Sequence, residues 1–535
     1  MPPVVASRPL RWLIAAPLSS APAGRRLTVS GERFTTVMGA LSPKATVEVP
    51  DRLGGGATRS FSVAVARPRD FRTREVIGNI ELLHDLAAVA DRLAKDGDVP
   101  GALARLRTLV GDGRLVDTLE GRQPAPPEPT PAPTPAAAPV APTPAASDDD
   151  DDPIFGKAAL ATPTKETAGQ AKSAVGSFIS AMRSGAPAPS NTKRAAPGRA
   201  TAPVVREQVE ATARDVLGAP PMAKLECAWR SLRMVMASCP SADDLGVDAV
   251  DTDTAGLLEA LEAPLSADPW QRPDAVFVVE PVDDVEVLRK LASMAEAARV
   301  PIVVEVAAGP VGMPPTTDGL DDTPDPWDGL RSHAPSAWLC ATTGAPVLAH
   351  ETEGGDRVVF GGAAAAVAAM AAASVAQTGV PSNIVGKGGA LVAPAAHVAG
   401  TGHDKQTIPT RTFVAYATQR ALADRGVAAL GSETDSDRLR LAAAPMVAGD
   451  MSLPGRVLAG RAHRLAVAVR QALGPAASPE ELADALEEAS GAFLPRIGAG
   501  DVTLRVRNSG SEGTTVDASI GASLAGASVT FSSDV

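Results

Sequence analysis

Lys387 is flanked by glycines in the segment "VGKGGA", from 385 to 390, and such a setting can bind phosphate groups. In phosphate-binding loops, backbone N–H groups surround the phosphates while the lysine contacts them. Here the spacing of that pattern is absent, and no Ser or Thr follows the lysine. We therefore predict a tight turn at this segment, not a nucleotide site.

Other segments contain residue types that bind metals or act as nucleophiles. His397 and His403 lie six positions apart without a third ligand in register. The segment "SGSEG", from 509 to 513, only loosely resembles a nucleophile elbow. The aspartate run 148–152 lacks the glycine and distal glutamate of a calcium loop. We predict no metal ligand, no cofactor and no catalytic residue, and we expect that the protein is not an enzyme. The alternative of a catalytic site assembled from residues that are distant in the sequence stays open.

Composition narrows the class of protein. The chain has 535 residues, a formal net charge of −12 and a pI of about 5.2. An acidic chain has no electrostatic reason to bind nucleic acid or an anionic membrane. Its three cysteines form neither a disulfide framework nor a thiolate metal site, which favours a cytoplasmic protein.

Two apolar stretches could be mistaken for membrane or secretion signals. The stretch 12–18 is short and interrupted by Pro17, and we interpret it as a strand and not as a secretory signal. The uncharged, alanine-rich run 361–376 is too short to span a bilayer comfortably. We predict a helix of small residues packed inside the protein and no membrane insertion.

The sequence divides into three regions. Residues 1–120 contain alternating strand patterns, such as "RSFSVAVA", and a long helical pattern from 74 that ends at Gly97. Residues 121–205 are rich in proline and alanine, and we expect an extended linker there. Residues 206–535 alternate strands and helices, including a strand–helix–strand crossover in which a helix begins at Asp283 and Asp284. The predicted fold is mixed α/β.

Inside the linker, residues from about 167 to 183 form an amphipathic helical pattern. A helix between two polar tethers has no core of its own, so we expect either a partner-docking helix or one that folds back on a neighbouring region. The apolar stripe that would dock a partner comprises Val175, Phe178, Ile179 and Met182.

In the first region, residues 9–95 resemble the small contractile sheath protein of bacterial type VI secretion systems. The resemblance lies in a strand, an "F..VM" helix, a proline before the next strand, and a "DF" entry to a long helix. The matching residues include Phe34, Met38, Pro43 and Phe71. In that family an N-terminal arm stitches neighbouring protomers, and because only about seven residues precede Arg8 here, we expect that stitching to be lost or reduced.

The third region resembles the large sheath protein of the same systems. Its segment "KLECAWRSLRMVM" matches that family's "LE..WR.L" helix, and we expect Trp229 to be buried in the core. Further similar segments are "IPTRTFVAYATQRALADRGVAAL", predicted as strand then helix, and an arginine–histidine helix at Arg461 and His463. The matching residues of the first helix are Leu225, Glu226, Trp229, Arg230 and Leu232.

Together the two resemblances imply a fusion of both sheath subunits: a small sheath-subunit-like domain tethered to a contractile-tail-sheath-like α/β domain. Such a protein would polymerise into a helical tube around an inner tube and contract to drive secretion. Its partners would be copies of itself, the inner tube protein, the baseplate and a disassembly AAA+ ATPase. Two alternatives stay open. One is an α/β enzyme or ligand-binding protein using the crossover after Val276 and the glycine turn 386–389. The other is a sheath-like cap or baseplate component that does not polymerise.

Overall fold

The computed structural model describes residues 5–32, 34–120, 197–306, 326–352, 355–400, 405–474, 477–494, 502–508, 514–520 and 529–534. The first region contributes four strands and five helices. They are β1 (Leu10–Ala16), β2 (Arg25–Val29), α1 (Phe34–Leu41), β3 (Lys44–Pro50), β4 (Thr58–Ala64), α2 (Thr73–Asn79), α3 (Glu81–Asp96), α4 (Val99–Val110) and α5 (Arg114–Leu119).

After the linker, helices and strands alternate up to a small C-terminal sheet. These elements are α6 (Pro197–Gly218), α7 (Pro220–Ser238), β5 (Leu245–Asp251), α8 (Leu257–Ser266), β6 (Ala275–Val278), α9 (Val285–Ala298), β7 (Ile302–Glu305), α10 (Pro326–Arg331), β8 (Leu339–Thr343), β9 (Val347–Glu351), β10 (Arg357–Phe360), α11 (Ala363–Thr378), β11 (Leu391–Val392), β12 (His397–Ala399), β13 (Gln406–Ile408), α12 (Tyr416–Asp424), β14 (Val427–Gly431), β15 (Arg438–Leu441), α13 (Leu453–Leu473), α14 (Pro479–Ala489), β16 (Val502–Asn508), β17 (Thr514–Ile520) and β18 (Val529–Asp534).

A nine-stranded sheet forms the centre of the protein, in the order β11-β15-β14-β8-β7-β6-β1-β5-β2. Its six inner strands, from β14 to β5, are parallel, while β2 and β15 pair antiparallel at either side. Strand β1 lies between β5 and β6, with Leu10 opposite Leu245 and Trp12 opposite Ala275. The mixed α/β fold is confirmed, and the two sequence regions share one sheet.

Side chains of the inner strands alternate between two apolar cores. On β1, Trp12 and Ile14 face the core covered by α3, α6, α7, α11 and α13, whereas Leu13 faces the core covered by α8, α9 and α10. Helix α3 packs against α6. This contact joins the first region to the third, in addition to the sheet that the two regions share. A strand that is buried on both faces is nearly continuously apolar, and in "LRWLIAA" the one charged residue, Arg11, lies near the start of the strand and is only half-buried.

Helix α11 is the small-residue helix predicted from the alanine-rich run. Every residue from Ala363 to Ala372 is buried, and the helix packs against α7. The residue before this helix lies very close to the chain that follows β6, since a Cβ atom on Gly362 would lie 2.6 Å from the carbonyl oxygen of Val279. Small side chains here allow the helix to approach the sheet closely.

Several predicted elements differ in detail. The helical pattern from 74 is two helices, because Ile80 adopts an extended conformation between α2 and α3; α3 does end before Gly97, whose φ is +70°. The strand predicted in "PTRTFVAY" is wrong: β13 ends at Ile408, just before it, and Thr410 forms only an isolated bridge with Pro346. Residues 197–205, assigned to the linker, are helical because α6 already begins at Pro197.

Candidate functional site

The residues that resemble sheath motifs meet at the junction between the first and third regions. The Phe34 ring contacts the Trp229 ring edge-on, with centroids 5.6 Å apart. Trp229 is fully buried, as predicted, and its Nε1 donates a hydrogen bond to the Leu18 carbonyl at 2.9 Å. One aromatic residue of α7 therefore contacts two separate segments of the first region.

Glu226, one turn before Trp229 on α7, lies in a buried charged cluster. Its carboxylate accepts hydrogen bonds from Arg230 at 2.7 Å and from Arg357 at 2.6 Å. Arg357 also donates to the Phe71 carbonyl at 2.8 Å. Burial lowers the pKa of Arg357, but Glu226 and Glu351 outweigh it and raise the pKa overall. Arg230 and Arg357 thus share the Glu226 carboxylate, and Arg357 links this pair to the first region through the Phe71 carbonyl.

Glu351 completes this cluster at the end of β9. It accepts a hydrogen bond from the Thr73 hydroxyl at 3.0 Å and lies 3.0 Å from Arg357. Burial would raise the pKa of Glu351, yet the charge of Arg357 and the hydrogen bonds from Arg357 and Thr73 hold the pKa below its usual range. The carboxylate stays charged and ties α2 to the hairpin of β9 and β10.

A second cluster surrounds Asp274 at the start of β6. Asp274 pairs with Arg8 at 2.9 Å, Arg461 at 2.8 Å and Arg464 at 2.5 Å, and its side chain is fully buried. The guanidinium groups of Arg8 and Arg461 also lie over the Trp270 ring. Burial opposes ionisation of Asp274, but the three arginines overcome it and hold its pKa well below the usual range.

The remaining motif residues have structural positions. Met38, a residue of α1, is fully buried in the core, and Leu225 and Leu232 lie on the buried face of α7. Pro43 directly precedes β3, and its carbonyl accepts a hydrogen bond from Val65. The docking stripe Val175, Phe178, Ile179 and Met182 lies outside the described residues, as does the whole segment 121–196.

Of the segments considered for chemistry, those around Lys387 and His397 lie in the described part of the chain. Lys387 lies in a turn, with Gly386 at a φ of +65°. The Nε2 of His397 donates a hydrogen bond to the Thr410 carbonyl oxygen at 3.0 Å, while His403 and residues 509–513 fall outside the described ranges. Burial raises the pKa of Cys227 and of Cys340 to about 12. In the described part of the chain, no three His, Cys, Asp or Glu residues are grouped to hold a metal ion.

A cavity of about 430 Å³ opens where the parallel strands end. Pro17, which follows β1, Glu280, which follows β6, and Glu305, the last residue of β7, line it. Burial raises the pKa of Glu305 to about 7. The crossover predicted after Val276 therefore leads to a cavity, but the glycine turn 386–389 does not line it. Among the residues that can be described, no helix is both long and apolar enough to cross a membrane.

Comparison with known proteins gives a coarse structural similarity. No family model and no curated protein matches the chain. A cryo-EM structure of the anti-feeding prophage baseplate has 14% identity and a TM-score of 0.33, covering 55% of this chain and 76% of that one. The helical sheath of the same prophage in its contracted state has 12% identity and a TM-score of 0.33, covering 54% and 77%. A likeness this remote transfers no residue role to this chain.

Proposed function

We propose that the chain is a structural subunit of a type VI secretion contractile sheath, in which a small and a large sheath subunit are fused. Copies of the chain polymerise into a helical tube around an inner tube protein, and contraction of the tube drives secretion. The inner tube, the baseplate and a disassembly AAA+ ATPase are its proposed partners, and the cytoplasm its proposed location. No catalytic step is assigned to it.

One observation carries this proposal: the motif residues of the two sheath-like regions pack on each other. Phe34 of the small-subunit-like region contacts Trp229 of the large-subunit-like region. The Phe71 carbonyl and Glu226 share the guanidinium of Arg357. If the chain joins two obligate partners, residues of both parts are expected to pack together in one shared fold.

Fusion also has a physical advantage for an obligate pair. A tether fixes the ratio of the two parts at one to one and raises their effective concentration to about the millimolar range. The parts here share a sheet and a core, so neither can bury its apolar surface alone. Contraction would then involve interfaces between copies of the chain, each able to adopt two arrangements.

Electron microscopy distinguishes this proposal from its alternatives. Three samples are imaged by negative stain: the purified full chain, the full chain mixed with an inner tube protein, and the inner tube protein without the chain. We expect hollow tubes of variable length from the chain, and filled tubes when the inner tube protein is present. Discrete rings or caps of fixed size would instead favour a baseplate or cap component. Monomers under all conditions would contradict a sheath role.

A further inference from the structure

The cavity at the end of the parallel strands lies where the order of the sheet reverses. Strand β5 pairs with one edge of β1, and the chain then crosses over so that β6 pairs with the other edge of β1. In open α/β sheets, ligands bind in the crevice outside the carboxyl ends of the strands at such a reversal. The volume of about 430 Å³ is in the range of small-molecule sites.

Most of the cavity wall is apolar, and most of its charges are already compensated. Cys227, Val279 and Phe360 are among the side chains that line it. Lys224 pairs with Glu280 at 2.6 Å on one side. Glu226 and Arg357 pair at 2.6 Å on another. These two ion pairs leave little unbalanced charge of their own.

Two lining residues of opposite charge differ from these pairs. Glu305 accepts a hydrogen bond from the Ala363 backbone N–H at 2.6 Å, and within the described ranges it forms no ion pair. Arg411 stacks over the Phe360 ring at 4.7 Å and, within the same ranges, has no carboxylate partner. The charge of Arg411 lowers the pKa of Glu305, although burial has the larger effect and raises it to about 7. Both groups line the same cavity, and within the described ranges no salt bridge joins them.

We propose that this cavity binds a free α-amino acid with an apolar side chain, whose ammonium group contacts Glu305 and whose carboxylate contacts Arg411. A zwitterion supplies one opposite charge to each of the two unpaired groups. Its side chain lies against Cys227, Val279 and Phe360. Binding an ammonium group favours the ionised form of Glu305, so the ligand releases a proton from the site near neutral pH.

The test is calorimetric titration of the full chain with L-phenylalanine, L-leucine and L-valine. Two analogues separate the charged groups: N-acetyl-L-phenylalanine lacks the ammonium, and L-phenylalanine amide lacks the carboxylate. We expect saturable binding of at least one free amino acid. We expect N-acetyl-L-phenylalanine to bind about 10- to 100-fold more weakly than L-phenylalanine, because it leaves the buried Glu305 without a partner. We expect L-phenylalanine amide to bind about 2- to 5-fold more weakly, because Arg411 is exposed and water replaces part of the lost contact.

Variants assign the two contacts. Glu305→Gln keeps an acceptor for the Ala363 N–H and should abolish the preference for the free amine over the N-acetyl compound. Arg411→Gln, at an exposed position, should abolish the preference for the carboxylate over the amide. Glu259→Gln and Arg420→Gln are matched controls, since both residues are exposed and outside the cavity, and they should bind as the unmodified chain does.

Two results would overturn the proposal. One is the absence of saturable heat from all three amino acids at millimolar concentration. The other is that both charge preferences persist in Glu305→Gln and Arg411→Gln, which would place binding elsewhere. Circular dichroism of each variant checks that it is folded, and the exposed Arg411 keeps the test decisive if the Glu305 variant is unstable.

Discussion

Asp274 balances three arginines in the protein interior, and its energetics differ from those of a surface ion pair. The carboxylate and the side chains of Arg461 and Arg464 have no exposed area, so none of these groups retains water contacts. A buried ion pair adds little net stability compared with apolar residues, but removing one partner leaves the others uncompensated. The arginines therefore depend on this one carboxylate.

We predict that Asp274→Asn lowers the free energy of unfolding by about 3–5 kcal/mol, the cost of leaving buried charges unpaired. Urea titration of the full chain measures the change. Asp248→Asn is the matched control, because the pair of Asp248 with Arg26 is partly exposed and should contribute about 1 kcal/mol or less. Equal, small losses in both variants would show that the Asp274 cluster is accessible to water.

Glu305 predicts a pH dependence of stability. Its pKa in the folded protein, about 7, is higher than the ordinary value of 4.5, so the folded state holds the proton more tightly than the unfolded state. The contribution is complete below about pH 4.5 and is lost as the pH rises through 7. Thermal melting of the chain should therefore show a decrease in stability from pH 5 to pH 8.

Glu305→Gln should flatten this dependence, since the amide does not ionise. The exposed variant Glu259→Gln should keep the slope of the unmodified chain. The comparison is made as the difference between each variant and the unmodified chain, which cancels the titration of histidines over the same range. An unchanged slope in Glu305→Gln would mean that its carboxyl group ionises normally in the folded state.

At the scale of elements, the sequence predicted the helices and strands that have a clear hydrophobic pattern within their own residues. The strand predicted in the stretch 12–18 is present as β1, with bounds Leu10–Ala16, and the helix that ends before Gly97 and the alanine-rich helix are also present. The predicted strand before α12 is absent because alternation alone does not supply a neighbour. Phe413 and Tyr416 in that segment are 41% and 65% exposed, so the apolar positions do not face a core.

Helix α7 depends on Trp229 to join the regions. We predict that Trp229→Ala lowers the free energy of unfolding by about 3–5 kcal/mol, through a cavity beside Phe34 and loss of the hydrogen bond to Leu18. Urea unfolding monitored by circular dichroism measures this. Trp229→Phe, which keeps the ring contact, should lose less. Unchanged stability combined with loss of ligand binding would instead indicate a ligand-contacting role.

The amphipathic pattern from about 167 to 183 stays a prediction of a docking helix. Phe178→Asp with Ile179→Asp should abolish binding to the disassembly ATPase, because both charges fall on the apolar stripe, while leaving tube assembly intact. Pull-down with the ATPase and electron microscopy are the two measurements. Ser177→Asp with Ser180→Asp adds the same charge beside the stripe and should still bind. Failure of the first variant to fold would identify a core helix.

At the scale of the whole molecule, the clusters at the junction could not be read from the sequence. Arg8 and Asp274 are 266 positions apart, and ion pairs between distant residues leave no periodic pattern. A weak signal existed: Asp274 directly precedes the apolar strand β6, where a charge must find a partner once buried. The motif residues were identified by resemblance, but the contact between Phe34 and Trp229 needed the fold.

Cleavage of the linker tests how the two regions are held together. A protease site placed near Pro131 should, after cutting, leave both fragments in one peak on a sizing column, because β1 is paired on both edges inside the sheet. High salt should not separate them, since the pairs with Asp274 are buried. Denaturation in urea, as a control, should release two fragments. Separation into stable monomers under native conditions would refute an interlocked pair.

The position of β1 also has a consequence for synthesis on the ribosome. Leu10 pairs with Leu245, so 235 residues must be translated before the first strand meets its neighbour β5, and β6 follows later still. At 5–20 residues per second, that interval is about 10–50 s. During this time the apolar residues of β1 have no strand to pair with, and a nascent chain stalled before residue 245 should recruit chaperones more strongly than one stalled after residue 310.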